Sequence, residues 1–339
     1  PHVAVRRQRQ MCIRDSVVTA NKAVIFNHGD ELFSVANKNG VKLLYESSVC
    51  AGTPIIKLLN QELAASKISK ISGMLNGTSN FILSNMEEGM EFEPTLKLAQ
   101  EKGYAEPDPS FDIEGTDAAH KIGILSSLAF GSSLPPKDFY IEGINGIHKD
   151  DFKYAYEMGY TIKHLAIAKS TNNSIDLRAH PSLLKLDSYL ANLKGVRNGI
   201  EVETDLLGTL HIAGSGAGQE ATASGVISDL IYLSDSKIRE VNNINESSEL
   251  IDFIDLDFQY YFYIEASDVS GVMASISSIF ANKDVSIESI SQKENLNDDL
   301  VPIIIITDPF KEKDYQELVD NLLELDSVNK IRSIRIEPQ

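Results

Sequence analysis

The sequence predicts three folded parts: an α/β unit, an α+β region with a mixed sheet, and a small C-terminal α+β domain. Near the start, a strand–helix–strand pattern predicts parallel strands joined by a right-handed crossover. In the middle, alternating segments predict a partly antiparallel sheet with one solvated face. About 80 residues at the C-terminal end follow the order βαββαβ, which is typical of the ferredoxin-like arrangement.

Composition narrows the classes of function. The length of 339 residues suggests two or three domains, and 42% hydrophobic with 24% charged residues is ordinary for a globular protein. The net charge of −18 argues against binding to nucleic acid or to an anionic membrane. No apolar run reaches the roughly 18 residues of a membrane span. Two cysteines cannot form a disulfide framework, which favours a cytoplasmic location.

Residues 1–16 differ from the rest of the chain. They carry four arginines in an otherwise acidic protein and lack the apolar core of a secretory signal. A basic tail, a transit-like segment and sequence foreign to the fold each explain this composition. We favour foreign or disordered sequence, because the chain then enters the middle of an α/β pattern.

The first third of the chain alternates strand-like and helix-like segments. Branched apolar runs bounded by turn residues predict strands, and apolar residues at helical spacing predict helices. Residues 17–22 are predicted to be the end of a buried strand that runs into a polar turn. Further strands are predicted at 41–46 and 68–75, and helices at 29–39, 55–63, 81–86 and 95–102.

The same patterns continue through the rest of the chain. Strand character at 164–169, 175–180, 199–205 and 207–214 precedes a helix at 221–233. Residues 235–257 are polar and rich in asparagine, which predicts a linker. The C-terminal domain is predicted from strands at 260–266, 285–292, 301–307 and 328–336 and from helices at 271–282 and 311–325.

Residues 103–121 form the strongest candidate for a site, because they bring five carboxylates and a lysine together. Pro107 and Pro109 exclude a helix from the first half of this stretch. In the second half, Thr116 is a candidate N-cap for a helix that continues to about residue 130.

Asp117 and Lys121 are four residues apart and therefore share one helix face. They fit either a solvated ion pair or a site in which the lysine gives a proton and carboxylates hold an ammonium group. Two further charged residues are open to the same alternatives. Glu106 is restrained by the proline that follows it, and Lys22 follows a strand end, where open parallel sheets bind ligands.

Two turns are weaker candidates. Gly214-Ser-Gly216-Ala-Gly218 lies between a strand and a helix and fits either a phosphate cradle or an ordinary turn. The turn from Glu46 to Thr53 offers one carboxylate and many carbonyls, which fits a hard cation or a plain strand–helix connection.

Six ordered motifs resemble the homoserine dehydrogenase family over roughly residues 17–235. They are Val17-Val-Thr-Ala-Asn-Lys22, Glu46 to Pro54, Asn76-Gly-Thr-Ser-Asn-Phe81, Gly103-Tyr-Ala-Glu-Pro-Asp-Pro109, Asp112-x-x-Gly-x-Asp117-x-x-x-Lys121 and Gly214-x-Gly216-Ala-Gly218. The part after about Tyr260 resembles an ACT domain, a regulatory module that binds amino acids, with Asp268-x-x-Gly271-Val-Met at the turn where the ligand is expected.

The resemblance implies an NAD(P)H-dependent enzyme that reduces L-aspartate 4-semialdehyde to L-homoserine in the biosynthesis of threonine, methionine and isoleucine. It implies that Lys121 gives the proton to the aldehyde oxygen. Lys22, near the nicotinamide, is a second candidate for that transfer. Glu106 and Asp117 are implied to bind the substrate, and Asp112 to orient it.

The resemblance also implies sites for a cofactor and a cation. Lys22, Gly103 and Gly216 are implied to lie against NADP or NAD. The positions that match a monovalent, sodium-like cation site are Glu46, Val49, Ala51 and Thr53.

One departure from the family pattern concerns the start of the chain. Family members begin with a strand, a glycine-rich turn and a helix, whereas no GxGxxG stretch occurs in this sequence. We therefore expect a partial Rossmann-like domain in an N-terminally truncated protein. The alternative to an active enzyme is a catalytically impaired fragment that retains only oligomerisation and amino-acid binding.

The expected domains follow from the motifs. They are a remnant of an NAD(P)-binding domain at 17–45 and 212–235, a catalytic and dimerisation domain at 46–211, a linker at 236–257 and an ACT domain at 258–339. The expected partners are the small-molecule substrate, an amino-acid effector such as threonine, and further copies of the chain in a homodimer or higher homo-oligomer. Nucleic acid and membranes are not expected partners.

Overall fold

A computed structural model of the chain describes residues 15–133, 139–172, 174–234, 248–293 and 299–338. Most of the segment predicted to be foreign, and the first half of the predicted linker, therefore lie outside the described residues.

The first unit confirms the predicted parallel pair. Strands β1 (Val17–Val18) and β2 (Leu43–Leu44) pair in parallel and are joined by helix α1 (Lys22–Lys38). The helix begins earlier than the predicted residue 29, because the Asn21 side chain accepts a hydrogen bond from the Val24 N–H at 3.1 Å and caps the helix there. The polar turn predicted at the end of residues 17–22 is therefore the start of this helix.

The middle region contains helices around an antiparallel sheet. Short helix α2 (Ile55–Lys57) continues as a π-helical segment, Leu58–Glu62. The other helices are α3 (Gly77–Glu87), α4 (Phe92–Glu101), α5 (Ser110–Ile113), α6 (Thr116–Phe130) and α7 (Lys149–Glu157). The strands are β3 (Ile68–Met74), β4 (Tyr140–Ile141), β5 (Tyr160–Thr171), β6 (Ser174–Lys185), β7 (Arg197–Thr204) and β8 (Gly208–Ser215), and helix α8 (Gln219–Ser234) follows them.

Two predictions within residues 103–121 are wrong. The first half is not free of helix, since Pro109 precedes the short helix α5; proline is tolerated at a helix start, where no backbone donor is needed. Helix α6 is capped by Gly115 and not by Thr116. Gly115 has a φ of +85°, and a Cβ there would lie 2.9 Å from His164 Nε2, so packing requires glycine at this position.

The C-terminal part has the predicted order βαββαβ. Two short strands, β9 (Glu249–Leu250) in the predicted linker and β13 (Phe310–Lys311), lie outside this order. The six elements of the order are β10 (Asp257–Ser267), α9 (Val272–Asn282), β11 (Ile287–Gln292), β12 (Leu300–Thr307), α10 (Glu312–Leu323) and β14 (Val328–Ile336). The four long strands lie side by side in the order β14-β10-β12-β11, and all neighbouring pairs are antiparallel. This is the strand order of the ferredoxin-like arrangement.

The middle and C-terminal parts share one sheet. Within the described residues its main order is β11-β12-β10-β14-β6-β5-β3-β7-β8. Strands β14 and β6 join the two parts in parallel, with Arg335 opposite Ser182 and Ile336 opposite Leu183. Helix α6 packs on this sheet, since Ile122 belongs to the same apolar core as residues of β5 and β7.

The described part of the predicted linker is ordered structure. Strand β9 pairs in parallel with β6. Phe253 follows it in a 3-10 turn and stacks on Tyr140 with 3.6 Å between the ring centroids. The polar composition of residues 235–257 predicted a linker, but the stacking of the partly buried Phe253 ring holds this described part of the segment against the sheet.

Arg335 ties the C-terminal part to the middle region. Its guanidinium donates to Glu142 Oε2 at 2.7 Å and to Glu312 Oε1 at 2.6 Å. The Tyr140 and Tyr260 rings lie within 4.7 Å and 5.4 Å of its Cζ atom. The charge is therefore buried with both carboxylate and aromatic partners.

Among the described residues, no helix combines the length and the apolar character that crossing a membrane requires.

The Arg335→Ala substitution is expected to lower the free energy of unfolding by about 3–5 kcal/mol, because it leaves the buried Glu312 carboxylate without its cationic partner. Urea denaturation measures this loss. The matched control is Lys313→Ala on the exposed face of α10, which is expected to cost less than about 0.5 kcal/mol. Equal losses for the two variants would contradict the role given to Arg335.

Candidate active site

The Asp117 carboxylate is the centre of a buried polar cluster. Its Oδ1 lies 2.5 Å from Lys22 Nζ, and its Oδ2 lies 2.7 Å from Lys121 Nζ. The Asn76 amide also donates to Oδ2, at 2.8 Å. Asp117 is 4% exposed and Lys121 is 7% exposed, so this is not a solvated surface pair.

Three segments that are distant in sequence position these groups. Lys22 is the first residue of α1, and Asp117 and Lys121 lie in the first two turns of α6. The chain leaves β3 at Leu75, whose carbonyl accepts a hydrogen bond from Lys121 Nζ at 2.6 Å. The cluster therefore forms only when both helices pack at the end of this strand.

Charge pairing decides the protonation states. Burial raises the pKa of Asp117, but the ammonium groups of Lys121 and Lys22 outweigh it and lower that pKa to about 2. Burial lowers the pKa of Lys121, but the Asp117 carboxylate outweighs it and raises that pKa above its ordinary value. Near neutral pH, Asp117 is therefore ionised and Lys121 carries a proton.

Asp112 joins the cluster through the same amide. Its Oδ1 accepts from Asn76 Nδ2 at 2.7 Å, and its backbone carbonyl accepts from the Ser79 hydroxyl at 3.0 Å. Burial raises the pKa of the Asp112 carboxyl. The structure thus brings together four of the predicted residues, which are Lys22, Asp112, Asp117 and Lys121.

Glu106 and Gly103 lie in an exposed loop, in which the Tyr104 carbonyl accepts a hydrogen bond from the Thr78 hydroxyl at 2.6 Å. Gly103 follows the C-cap of α4 with a φ of +72°, and its N–H donates to the Gln100 carbonyl at 3.0 Å. The Glu106 side chain is exposed, and its backbone carbonyl accepts from Gln100 Nε2 at 3.2 Å. Within the described residues, Asp117 and Lys121 contact Lys22, Asn76 and Leu75, and no hydrogen bond or ion pair joins them to Glu106.

Gly216 lies in the turn between β8 and α8, against Asn198. A Cβ at Gly216 would lie 2.1–2.2 Å from the Asn198 amide group, so this approach requires glycine. The Asn198 Nδ2 donates to the Leu75 carbonyl at 2.9 Å, which is the carbonyl that also accepts from Lys121. Asn198 therefore connects the glycine-rich turn to the buried cluster, because it contacts both.

Two buried polar atoms near this turn have no hydrogen-bond partner within the part of the chain that the structure describes. They are Asn198 Oδ1 and Thr53 Oγ1. A Cβ at Gly214 would lie 2.5 Å from that Thr53 oxygen, so glycine again permits a close approach. Orphaned buried groups of this kind indicate a place where a ligand or water completes the hydrogen bonding.

The residues predicted to hold a cation lie in a tight turn. The Glu46 carboxylate accepts the backbone N–H groups of Ile56 and Lys57, both at 2.9 Å, and so caps the start of α2. Burial raises the pKa of this carboxyl. In the ranges that the structure covers, no group of three or more His, Cys, Asp or Glu side chains is arranged to hold a metal ion. A site built from the carbonyls of Val49, Ala51 and Thr53 remains a prediction.

Sequence reasoning assigned no role to Asn76 or Asn198. Asn76 stood out only as part of a turn-rich motif, and its amide in fact joins two carboxylates. Asn198 lies within strand β7, and no local pattern marks it. Its contacts with Leu75 and with Cys50 Sγ at 3.3 Å arise from tertiary packing.

The comparisons with known proteins place the chain among the oxidoreductases. A family model described as homoserine dehydrogenase matches residues 54–231. The chain belongs to the homoserine dehydrogenase family.

Relatives match along most of this chain. The homoserine dehydrogenase of Pseudomonas aeruginosa is 41% identical over 334 residues, which cover 95% of this chain and 77% of that protein. The one from Helicobacter pylori is 40% identical over 334 residues, with 97% and 79% covered.

Solved structures agree with these matches. The crystal structure of a homoserine dehydrogenase from Thiobacillus denitrificans has a TM-score of 0.88 and 39% identity and covers 95% of this chain and 76% of that one. A hyperthermophilic archaeal homoserine dehydrogenase in complex with NADPH has a TM-score of 0.58 and 32% identity, with 67% and 66% covered.

The low pKa of Asp117 predicts a pH-dependent contribution to stability. The folded-state pKa of about 2 lies below the ordinary value of 3.8, so the contribution is complete above about pH 4 and is lost as pH falls towards 2. The stability difference between the wild-type chain and Asp117→Asn is expected to be flat from pH 5 to 7 and to shrink below pH 4. Urea denaturation across this range measures it, and a difference that stays constant to pH 2.5 would contradict the pairing.

Proposed function

We propose that this chain catalyses the NAD(P)H-dependent reduction of L-aspartate 4-semialdehyde to L-homoserine. The observation that carries the proposal is the buried Lys121 ammonium, held by Asp117 Oδ2 at 2.7 Å and by the Leu75 carbonyl at 2.6 Å. We infer the reaction from membership of the family. The Lys121 ammonium is a source of the proton that this reaction needs.

Lys121 is the proposed proton donor. A bound nicotinamide cofactor would supply the hydride that reduces the aldehyde carbon. The carbonyl oxygen then gains negative charge, which a nearby ammonium stabilises, and it takes the Lys121 proton to become the hydroxyl of the product. An alkoxide is a far stronger base than an amine, so this transfer is downhill even with the raised pKa of Lys121.

Lys22 is the proposed second cation of the site. Because Asp117 Oδ1 lies 2.5 Å from Lys22 Nζ, the two lysines are held by one carboxylate. The net positive charge of this triad favours the developing alkoxide. Lys22 is therefore also a second candidate for proton transfer.

Glu106, Asp117 and Asp112 are the proposed carboxylates for the substrate. The Asp117 oxygens are already shared by two lysines and Asn76. The exposed Glu106 carboxylate is accessible to a substrate ammonium group, so we assign that contact to Glu106 and an orienting role to Asp112.

The proposed cofactor contacts are Gly103, Gly216 and Lys22. The close approach at Gly216 and the unpartnered oxygens of Asn198 and Thr53 fit a ligand at this turn. The NADPH bound by the archaeal relative supports NADP or NAD as that ligand.

We also propose a monovalent, sodium-like cation held by Glu46 and by the carbonyls of Val49, Ala51 and Thr53. The support is the family resemblance together with a turn in which Ala51 has a φ of +42°.

The proposed domain organisation follows the sequence boundaries. Residues 17–45 and 212–235 belong to a partial Rossmann-like nucleotide-binding domain, 46–211 to the catalytic and dimerisation domain, and 258–339 to an ACT domain. The ferredoxin-like strand order and the turn at Gly271, where φ is +95°, support the ACT proposal. Threonine is the proposed effector, and a homodimer or higher homo-oligomer the proposed assembly.

An NADPH-oxidation assay with L-aspartate 4-semialdehyde tests the proposed function. Substrate-dependent oxidation by this chain is the expected result. No oxidation with either NADPH or NADH would favour the alternative, a catalytically impaired fragment that keeps only oligomerisation and amino-acid binding.

The Lys121→Met substitution is expected to lower kcat by about 10²–10⁴-fold, the usual contribution of a positioned proton donor. Methionine keeps much of the side-chain volume, so packing is retained. Lys97→Met, at an exposed position on α4, is the matched control and is expected to leave kcat unchanged. If Lys121→Met kept kcat within about 3-fold of the wild-type value, Lys121 would not be the proton donor.

Calorimetry with L-threonine is expected to show saturable heat with the full chain. Asp268→Ala, at the turn before α9, is expected to abolish that heat, whereas Asp314→Ala on α10 is the control and is expected to keep it. The absence of heat with threonine, methionine and isoleucine would contradict the regulatory role.

A further inference from the structure

The side chain of Asn76 joins the buried Asp117 to the partly buried Asp112. Its Nδ2 donates to Asp112 Oδ1 at 2.7 Å and to Asp117 Oδ2 at 2.8 Å. Its Oδ1 accepts the backbone N–H of Ser79 at 2.7 Å and caps helix α3. Both amide hydrogens and the amide oxygen are therefore in use, and the side chain is 5% exposed.

These three contacts fix the orientation of the amide. A flipped amide would place Oδ1 against two carboxylate oxygens and Nδ2 against the Ser79 N–H, which would replace three hydrogen bonds by three repulsions. The N-cap therefore determines which end of the amide faces the aspartates. Two carboxylates that would otherwise repel each other share one neutral donor group.

The same turn also holds Lys121. The Leu75 carbonyl, which directly precedes Asn76 in the chain, accepts from Lys121 Nζ at 2.6 Å. The second acceptor of that ammonium is Asp117 Oδ2, the oxygen to which Asn76 donates. Leu75 thus supplies one acceptor of the Lys121 ammonium, and Asn76 orients the second acceptor, Asp117 Oδ2.

We propose that Asn76 is a positioning residue for the reductase reaction, because its amide holds Asp117 Oδ2 at Lys121 and leaves Asp117 Oδ1 to Lys22. This inference rests on the proposed function for its catalytic consequence, but not for the geometry. The ionisable groups near the amide and its two carboxylates include Asp112 on α5, Asp117 and Lys121 on α6 and Lys22 on α1. They also include the buried thiol of Cys50 behind Asn198, and the buried His164 on β5, which interacts electrostatically with Asp117.

The Asn76→Asp substitution removes the hydrogen bonds to Asp112 and Asp117 but keeps the cap of helix α3. Aspartate has the same shape and is as good an N-cap as asparagine, so the bond to Ser79 is kept. It lacks both N–H donors and adds a third carboxylate beside Asp112 and Asp117. The matched control is Asn85→Asp on α3, because the Asn85 amide donates to the Phe81 carbonyl of its own helix, at 2.7 Å, and not to a carboxylate of the described residues.

The first readout is turnover as a function of pH. At pH 8, Asn76→Asp is expected to lower kcat about 10²-fold while the KM for NADPH changes less than about 2-fold. As pH falls, one of the three carboxyls takes up a proton and becomes a donor again, so the deficit in kcat is expected to shrink. A deficit that is the same at pH 6 and pH 9 would overturn the proposal.

The second readout is stability, which does not require activity. In Asn76→Asp at least one folded-state carboxyl pKa lies above its unfolded value, so the stability deficit relative to wild type is expected to grow as pH rises from 4 towards 8. Asn85→Asp is expected to show no such trend. If the wild-type chain fails to turn over, the proposed function fails, while this trend still decides the role of Asn76.

A third variant covers the case in which Asn76→Asp does not fold. Asn76→Ser keeps a capping oxygen and removes both bridging donors without adding charge. It is expected to lower kcat at least about 10-fold and to move the acid limb of the stability curve to higher pH, because Asp117 loses a hydrogen bond to its ionised form. An unchanged acid limb in Asn76→Ser, or a pH-independent deficit in Asn76→Asp, would overturn the proposal.

Discussion

The rest of the site depends on two ion pairs that share one carboxylate. The buried Asp117 side chain lies between the ammonium groups of Lys22 and Lys121 and pairs with both. Removing a lysine from water costs several kcal/mol unless its charge is paired. A single aspartate at the start of α6 supplies that pairing for two lysines. Because Lys22 begins α1 and Lys121 reaches the end of β3, the same carboxylate also brings these elements together.

The shared sheet connects this cluster to the C-terminal part of the chain. Arg335 on β14 binds the Glu142 side chain, and the Glu142 backbone carbonyl lies 2.9 Å from His164 Nε2. Both of these groups pack against Gly115, the N-cap of the helix that carries Asp117. An amino acid bound to the proposed ACT domain would therefore have a chain of direct contacts through which to act on the site.

Structural features that depend on a single segment of the chain could be predicted from the sequence. Local periodicity predicted the parallel pair at the start and the order βαββαβ at the end, and the spacing of Asp117 and Lys121 predicted a shared helix face. Packing decided the rest. Thr116 is the better N-cap by propensity, yet contact with His164 requires Gly115 at that position. Neither the approach of Lys22 nor the bridging by Asn76 follows from spacing, because each joins segments that meet only in the folded chain.

The most direct test of the central claim is the ionisation of Asp117 in the folded protein. Carbon-13 NMR of aspartate carboxyl groups, with the Asp117 signal assigned by its loss in Asp117→Asn, measures this pKa. The two lysines predict a carboxyl that stays ionised down to about pH 3, with a pKa of about 2. A signal that titrates at pH 4 or above would show that Asp117 does not hold both ammonium groups.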